Sequence, residues 1–307
     1  MSAVQFAYGV PLSGPLNPAL ATTGALTSLA RSAEEAGFGA AYVTEHPAPS
    51  QRWRESGGHD ALDPFVALSV MSYGTSTLRL LTNLTVIPYR NPFLLAKASA
   101  TVDVLSGGRL ILGAGVGYMK SEFAALGVDF ETRNARVDEY LQVLKLAWTG
   151  QPVDFQGEFV TAKGNTAQPP AAQQPGPPIW LGGNSKLTRR RVAEVADGWM
   201  PMPSPRGAPG TPLENLDDLV GLLGYLQDHA SSIGRTDPID VMCVLPAEAA
   251  QAADQATDQA TDQATVDMVG RLAEVGVTWL AVNGVGETVD QATAFIGRFG
   301  VGVIANL

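Results

Sequence analysis

With 307 residues, 45% of them apolar and 16% charged, the chain has the hydrophobic content for a large core and lacks the composition of a disordered segment. Its formal charge of −10 removes long-range attraction to nucleic acid or anionic lipid, which leaves a small-molecule substrate as the expected partner. A single cysteine, Cys243, excludes an internal disulfide, no apolar run reaches the ~18–20 residues of a membrane span, and MSAVQFAYGV does not read as a leader, so a cytoplasmic location is expected.

Short apolar runs alternate with segments of helical period, the pattern of βα units around a parallel sheet. The first strand is expected at Gln5–Val10. Leu26, Leu29, Ala30 and Ala33 form one face of the helix after it, and Gly37 sits at its C-terminal cap. The second strand, Ala40–Thr44, runs out into Glu45-His46-Pro47. His46 is therefore expected at the C-terminal mouth of the sheet, where this class of fold gathers its catalytic groups. The loop 47–63 carries Arg52, Trp53, Arg54 and His59 and reads as a lid or substrate wall.

The third strand, Leu78–Thr82, leads into Asn83 and Leu84. Thr82 and Asn83 are polar within an apolar run, so they need partners from the core or from a ligand. Pro92 opens the next helix and Ser106-Gly107-Gly108 stops it. The fourth strand, Arg109–Ala114, exits through Gly113-Ala-Gly-Val-Gly117, a run that lets backbone approach a ligand but fails the Rossmann spacing in both registers. Val137, Tyr140, Leu141 and Leu144 mark another helix. An insertion of about residues 151–177 is then expected, with a hairpin at Pro152–Val160 and irregular chain over Thr161–Pro178.

The fifth strand, Pro178–Leu181, ends in Gly182-Gly183-Asn184-Ser185 ahead of a helix at Lys186–Ala196. Asn184 or Ser185 can cap that helix, and its free N–H groups make a phosphate site. Arg189–Arg191 are read as structural ion pairs on it. Strands follow at Gly198–Met200, Asp240–Val244 and Thr278–Val282, with helix faces at Leu216–Leu223 and Val289–Phe299. Asp-Gln-Ala-Thr repeats three times over residues 254–265. Its four-residue period drifts against the helix, so it is expected as a polar extension ahead of the seventh helix. Eight strands with interleaved helices make this an α/β chain, a (β/α)8 TIM barrel with an insertion between strands 4 and 5, expected as one domain over residues 1–307. His229 is expected to be solvated, and the three histidines lack zinc-site spacing, so no metal is expected.

In order along the chain, Glu45-His46, Pro88-Tyr-Arg-Asn-Pro92, Asp103-Val-Leu-Ser-Gly-Gly-Arg109, Gly113–Gly117 with Glu122-Phe123, Arg136-Val-Asp-Glu-Tyr140, Pro178-Ile-Trp-Leu-Gly-Gly183 and Ala196-Asp-Gly-Trp199 resemble the luciferase-like monooxygenase superfamily, in particular its actinobacterial F420-dependent oxidoreductase branch. The resemblance covers nearly the whole chain. It implies a TIM barrel, usually a homodimer, that holds coenzyme F420, a deazaflavin, or alternatively FMN. It further implies that His46 is the active-site histidine, with Glu45, in place of the more frequent Asp, orienting it or shaping the pocket. By the same resemblance, Asn83–Leu84, following Thr82, is a non-proline cis peptide behind the ring; Val116 and Gly117 form a ring-contacting turn; and Gly182 and Gly183, with Asn184 beside them, bind phosphate. Hydride transfer between the deazaflavin and a small organic substrate is the implied reaction. The alternatives are an FMN-dependent monooxygenase that uses oxygen and a partner flavin reductase, and a non-catalytic flavin-binding protein.

Overall fold

Four- to six-residue runs of β-branched and aliphatic residues, too short for helices and flanked by Gly, Pro and Asn, are what parallel strands buried on both faces require. The computed structural model describes residues 4–11, 14–208, 210–249 and 259–307. In chain order these comprise β1 Gln5–Gly9, α1 Thr23–Glu35, β2 Ala40–Val43, α2 Gln51–Glu55, α3 Pro64–Tyr73, β3 Arg79–Thr82, β4 Thr85–Val86, α4 Pro92–Ser106, β5 Leu110–Gly115, α5 Lys120–Ala125 and α6 Arg133–Trp148. There follow β6 Val153–Gln156, β7 Thr161–Asn165, β8 Ile179–Gly182, α7 Lys186–Val195, β9 Gly198–Met200, α8 Leu216–Ser232, β10 Asp240–Val244, α9 Gln259–Glu274, β11 Trp279–Asn283 and α10 Val289–Gly302.

The hydrogen-bonded strand order is β3-β2-β1-β11-β10-β9-β8-β5-β4, and β3 also pairs with β5. Leaving out the two-residue β4, eight strands form a cyclic order, with β1/β11, β10/β11, β9/β10, β8/β9 and β3/β5 parallel. The fold is a (β/α)8 barrel. No helix among the described residues is long and apolar enough to cross a membrane.

Contacts group the chain into two compact units. The first holds Met1–Pro11, Ser28–Ala41 and Pro178–Leu307. Its interior is aromatic: Phe6 lies 5.5 Å edge-on to Phe299, which lies 5.5 Å from Phe38, while Trp180 meets Trp279 at 5.3 Å. Such pairs add to the burial of ring area that dominates a core. On α7, Arg189 lies 4.7 Å over the Tyr225 ring and donates to Leu222 O, while Arg190 pairs with Glu194. Contrary to expectation, His229 is not simply solvated, because its Nε2 lies 3.1 Å from Glu194 Oε1.

The second unit holds Leu12–Thr27 and Tyr42–Pro177. Leu68, Met71, Leu80, Leu81, Ile111 and Leu112 are fully buried in it, and Trp148 Nε1 donates to Ser99 Oγ at 2.9 Å. The insertion lies between β5 and β8. Its hairpin extends further than expected, since β7 forms within the segment read as irregular. Glu139 of α6 explains this: its carboxylate accepts from the N–H groups of Glu158, Phe159 and Val160 and so fixes the turn from outside.

Two other expectations change. Ser50 caps α2 inside the loop 47–63, accepting from Trp53 N. The helix α9 begins at Gln259, within the Asp-Gln-Ala-Thr repeat, and the repeat's last residue, Thr265, is buried in it. The polar extension therefore gives way to helix; residues 254–258 lie outside the described residues.

Candidate active site

The second unit builds its polar cluster at the exit of β2. All four β2 residues are buried, so the first positions free to point polar groups outward come after Val43. His46 Nδ1 lies 3.4 Å from Glu122 Oε2. That carboxylate also accepts from Tyr89 Oη at 2.9 Å and from Ala48 N at 3.1 Å. Around the imidazole stand Trp53 at 4.5 Å, His59 edge-on at 4.9 Å and Tyr118 at 6.3 Å. His59 Nε2 lies 3.2 Å from Thr44 Oγ1.

Burial pushes the Glu122 carboxyl up, but hydrogen bonds from His46, the Ala48 amide and Tyr89 outweigh it, and the group is held below the ordinary carboxylate value. An ionised Glu122 is acceptor-only, so it fixes the proton of a neutral His46 on Nδ1 and leaves Nε2 as a lone pair; this tautomer is inferred from the bonding network. Burial, and then the neighbouring His46, lower the pKa of His59. Burial and Glu122 raise that of Tyr118.

Glu45, expected to orient His46 or to shape the pocket, does not bond the imidazole. Its carboxylate accepts from Val86 N at 2.7 Å and pairs with Arg90, whose other nitrogen donates to Asp63 Oδ2 at 2.7 Å. Successive residues of extended chain point to opposite sides, so a neighbour in sequence is poorly placed to hold the imidazole. The orienting partner is Glu122, 76 residues away. Its only trace in the sequence was the Glu122-Phe123 pair. Tyr89 likewise stood in a quoted motif without a role.

Thr82 is completely buried and its hydroxyl donates to Gly113 O at 2.6 Å, so the core and not a ligand satisfies it. Asn83 N donates to Val43 O, its side chain bonds the Tyr42 phenol, and Asn83–Leu84 is a cis peptide. The glycine run answers to this segment. A Cβ on Gly113 would collide with Thr82 O, and one on Gly115 would sit 3.1 Å from Leu84 Cδ1. Gly117 has φ +83°, and its Cβ would come within 2.7 Å of Val86 and 2.8 Å of Phe123. Packing thus accounts for these three glycines, while Val116 between them is half-buried.

Gly182, Gly183 and Asn184 belong to the first unit. Gly182 ends β8 beside Met200, and Gly183, at φ +113°, donates its N–H to Met200 O. Asn184 neither caps α7 nor keeps a free amide: Nδ2 donates to Met202 O and Thr211 O, and Oδ1 accepts from Met202 N. Ser185 is the cap, accepting from Thr188 N at 3.0 Å. The first turn of α7 has no acidic residue, and the N–H groups of Lys186 and Leu187 are the orphan donors a helix start presents.

The model of a family described as luciferase-like monooxygenase matches residues 8–281. An uncharacterised protein of Mycobacterium tuberculosis is 30% identical over 282 residues, 88% of this chain and 90% of the relative. The F420-dependent glucose-6-phosphate dehydrogenase 2 of Rhodococcus jostii is 32% identical over 182 residues, 57% of this chain and 52% of that one. Among solved structures, the monooxygenase RslO1 of Streptomyces bottropensis superposes with a TM-score of 0.76 at 21% identity, covering 98% of this chain and 99% of that one.

Proposed function

We propose that this chain, which belongs to the luciferase-like monooxygenase family and is an oxidoreductase, works with coenzyme F420 on a small organic substrate. The observation that carries the reading is the Tyr89–Glu122–His46 arrangement at the β2 exit. The dehydrogenase of Rhodococcus jostii supports the choice of coenzyme.

The residues present fit such a group. Next to Leu84, Thr85 Oγ1 is fully buried with no hydrogen-bond partner among the described residues, a cost that a ligand's polar edge would remove. The α7 start offers the Lys186 and Leu187 amides and the positive end of a helix dipole to a phosphate. Leu84, Val116 and Gly117 would stand against the ring. When bound, the deazaflavin supplies the hydride acceptor or donor. The protein's part is acid–base and positional. His46 Nε2 takes the proton of a substrate hydroxyl in oxidation and returns it in reduction, as a general base and then a general acid. Glu122 is a positioning residue that holds the imidazole in the basic tautomer, and Trp53 and Tyr118 shield it from water.

A second reading, reduced FMN with oxygen and a partner flavin reductase, draws on the fold likeness to RslO1. Titrating the purified protein with each coenzyme, followed by coenzyme fluorescence, separates the two. Saturable binding of F420 with none of FMN is expected; saturation by FMN alone overturns the proposal.

A further inference from the structure

An ion seated without a partner charge is costly, so the charges on the loops after the strands restrict what a barrel can take there. Lysine and arginine are scarce in those loops. Residues 10–22, 183–185, 245–258 and 284–288, which follow β1, β8, β10 and β11, contain neither. The remaining exits carry Arg52 and Arg54 on α2, Arg90 after β4, Lys120 at the start of α5 and Arg206 after β9. All but Arg52 are tied to carboxylates. Arg54 grips Asp60 at 2.7 and 2.9 Å, and Arg90 pairs with Glu45 and Asp63. Lys120 lies 3.5 Å from Glu131, and Arg206 pairs with Glu214 and Asp218. Further on, Arg133 and Arg136 of α6 lie over the Phe130 and Phe159 rings. Arg52 is exposed and is turned from Trp53 by about 100° around α2.

The same pairs occupy the carboxylates, and Glu122 already accepts from His46, Ala48 and Tyr89. Among the described residues of the second unit, no uncompensated charge of either sign stands beside the imidazole. What stands there is flat and aromatic: Trp53 at 4.5 Å and Tyr118 at 6.3 Å, the latter 66% exposed. The indole is fixed in advance. Ser50 Oγ accepts from Trp53 N at 3.3 Å, while Ser56 Oγ and Gly58 N donate to Trp53 O at 3.1 and 3.0 Å. Asp60 ties the segment to Leu16 N at 3.1 Å. A Cβ on Gly58 would collide with the indole, so a bare Cα backs one face of the ring. A wall held rigid before the ligand arrives lowers the ordering cost of binding.

We propose that the substrate is an uncharged alcohol bearing a ring, which packs against Trp53 and Tyr118 with its hydroxyl at His46 Nε2, and that charged substrates are turned away. The inference rests on the function proposed above and narrows its substrate. Small-molecule sites are lined mainly by apolar and aromatic groups, with a few polar atoms that set orientation, and here the imidazole is that polar atom's source. Oxidation breaks the C–H and O–H bonds of the carbinol and forms a C=O bond. The hydride passes to the coenzyme and the proton to His46 Nε2. Trp53 and Tyr118 take no part in those transfers; they decide which alcohol is held in place for them.

The test uses four alcohols on the full chain with F420. In 1-phenylethanol, mandelate and 2-amino-1-phenylethanol the same carbinol carries a methyl, a carboxylate or an aminomethyl group, and propan-2-ol lacks the ring. Loss of the oxidised coenzyme's absorbance reads turnover. For 1-phenylethanol kcat/KM is expected to exceed that for propan-2-ol about tenfold, the worth of one aromatic contact. It should exceed that for either charged analogue about 100-fold. Trp53→Ala should raise KM about tenfold for 1-phenylethanol and about twofold or less for propan-2-ol, and Trp53→Phe, which keeps a ring, should restore most of the loss. Tyr118→Ala, at an exposed position, should show the same split and serves if Trp53→Ala fails to fold. A charged analogue turned over as efficiently as 1-phenylethanol overturns the exclusion of charge. An equal loss on both uncharged alcohols in Trp53→Ala overturns the ring seat, as does bound F420 with none of the four oxidised. If F420 does not bind, the coenzyme proposal falls alone, and calorimetric titration of the alcohols into the coenzyme-free chain decides the seat. Tightest binding of 1-phenylethanol upholds it; any other order, or no binding, overturns it.

Discussion

The exits of β2 and β8 both end a buried strand in polar residues, yet they are wired differently. At the β2 exit the bonds are long in sequence: His46 to Glu122 spans 76 residues, Ala48 to Glu122 spans 74 and Glu45 to Val86 spans 41. At the β8 exit they are short: Ser185 to Thr188 spans three, Trp199 to Gly183 spans 16 and Asn184 to Met202 spans 18. The first exit holds a side chain that can move a proton. The second presents backbone donors. Chemistry that needs an oriented imidazole draws on distant strands, whereas an anion site can be built from one turn and one helix start.

The largest effect that bears on this contrast is expected from His46→Ala. Turnover of a substrate the wild type oxidises should fall about 10²–10⁴-fold, the usual contribution of a general base. Coenzyme affinity measured by titration should stay as in the wild type. A variant that retains full turnover would remove the imidazole from the chemistry.

Glu122→Gln keeps the shape and removes the charge. It should cost about 10–100-fold in kcat with KM little changed, the size seen when a carboxylate that orients a metal-bound histidine is lost. Because Glu122 titrates lower in the folded chain, the unfolded state takes up its proton first on acidification. Its stabilisation is therefore complete above the ordinary value of 4.5 and is lost as pH falls through the folded one. Thermal melts from pH 7 to 3 should show that acid limb in the wild type and a shallower one in Glu122→Gln.

Gly117→Ala puts a Cβ on a left-handed residue against Val86 and Phe123. It should destabilise the protein by about 2 kcal/mol in urea unfolding. Ser185→Ala removes the α7 cap at about 1 kcal/mol. It should weaken phosphate-bearing coenzyme without altering kcat, which separates the two exits functionally.

The smallest effect concerns His59. Its lowered pKa means that the unfolded chain binds more protons just below the ordinary value of 6.5, so stability declines as pH drops through that point. His59→Gln should flatten this slope in denaturant titrations between pH 7 and 5. A slope unchanged by the substitution would show that the decline comes from another group.

The same distinction between short and long wiring decides what the sequence made legible. Strand positions were readable to within a residue at most ends because apolar runs and flanking turn residues are local signals; Gly198–Met200 and Asp240–Val244 came out unchanged. The cap at Ser185 was likewise one of two local candidates. What could not be read was whatever depends on a remote partner. The hairpin strand Thr161–Asn165 exists because Glu139 holds its turn, and the orienting role given to Glu45 belongs to Glu122 because adjacent side chains diverge. Asn184 resembled a cap until Met202 and Thr211 engaged both ends of its amide. The glycines of β5 looked like a ligand-facing run, but their bare Cα atoms make room for Thr82 and Leu84.

The tautomer of His46 is the point on which the mechanism turns, and with only three histidines in the chain it can be read directly. Long-range ¹H–¹⁵N correlation spectra of the imidazoles above neutral pH should show His46 protonated on Nδ1 in the wild type and a mixed or reversed population in Glu122→Gln. A wild-type spectrum with the proton on Nε2 would contradict the assignment of that nitrogen as the base.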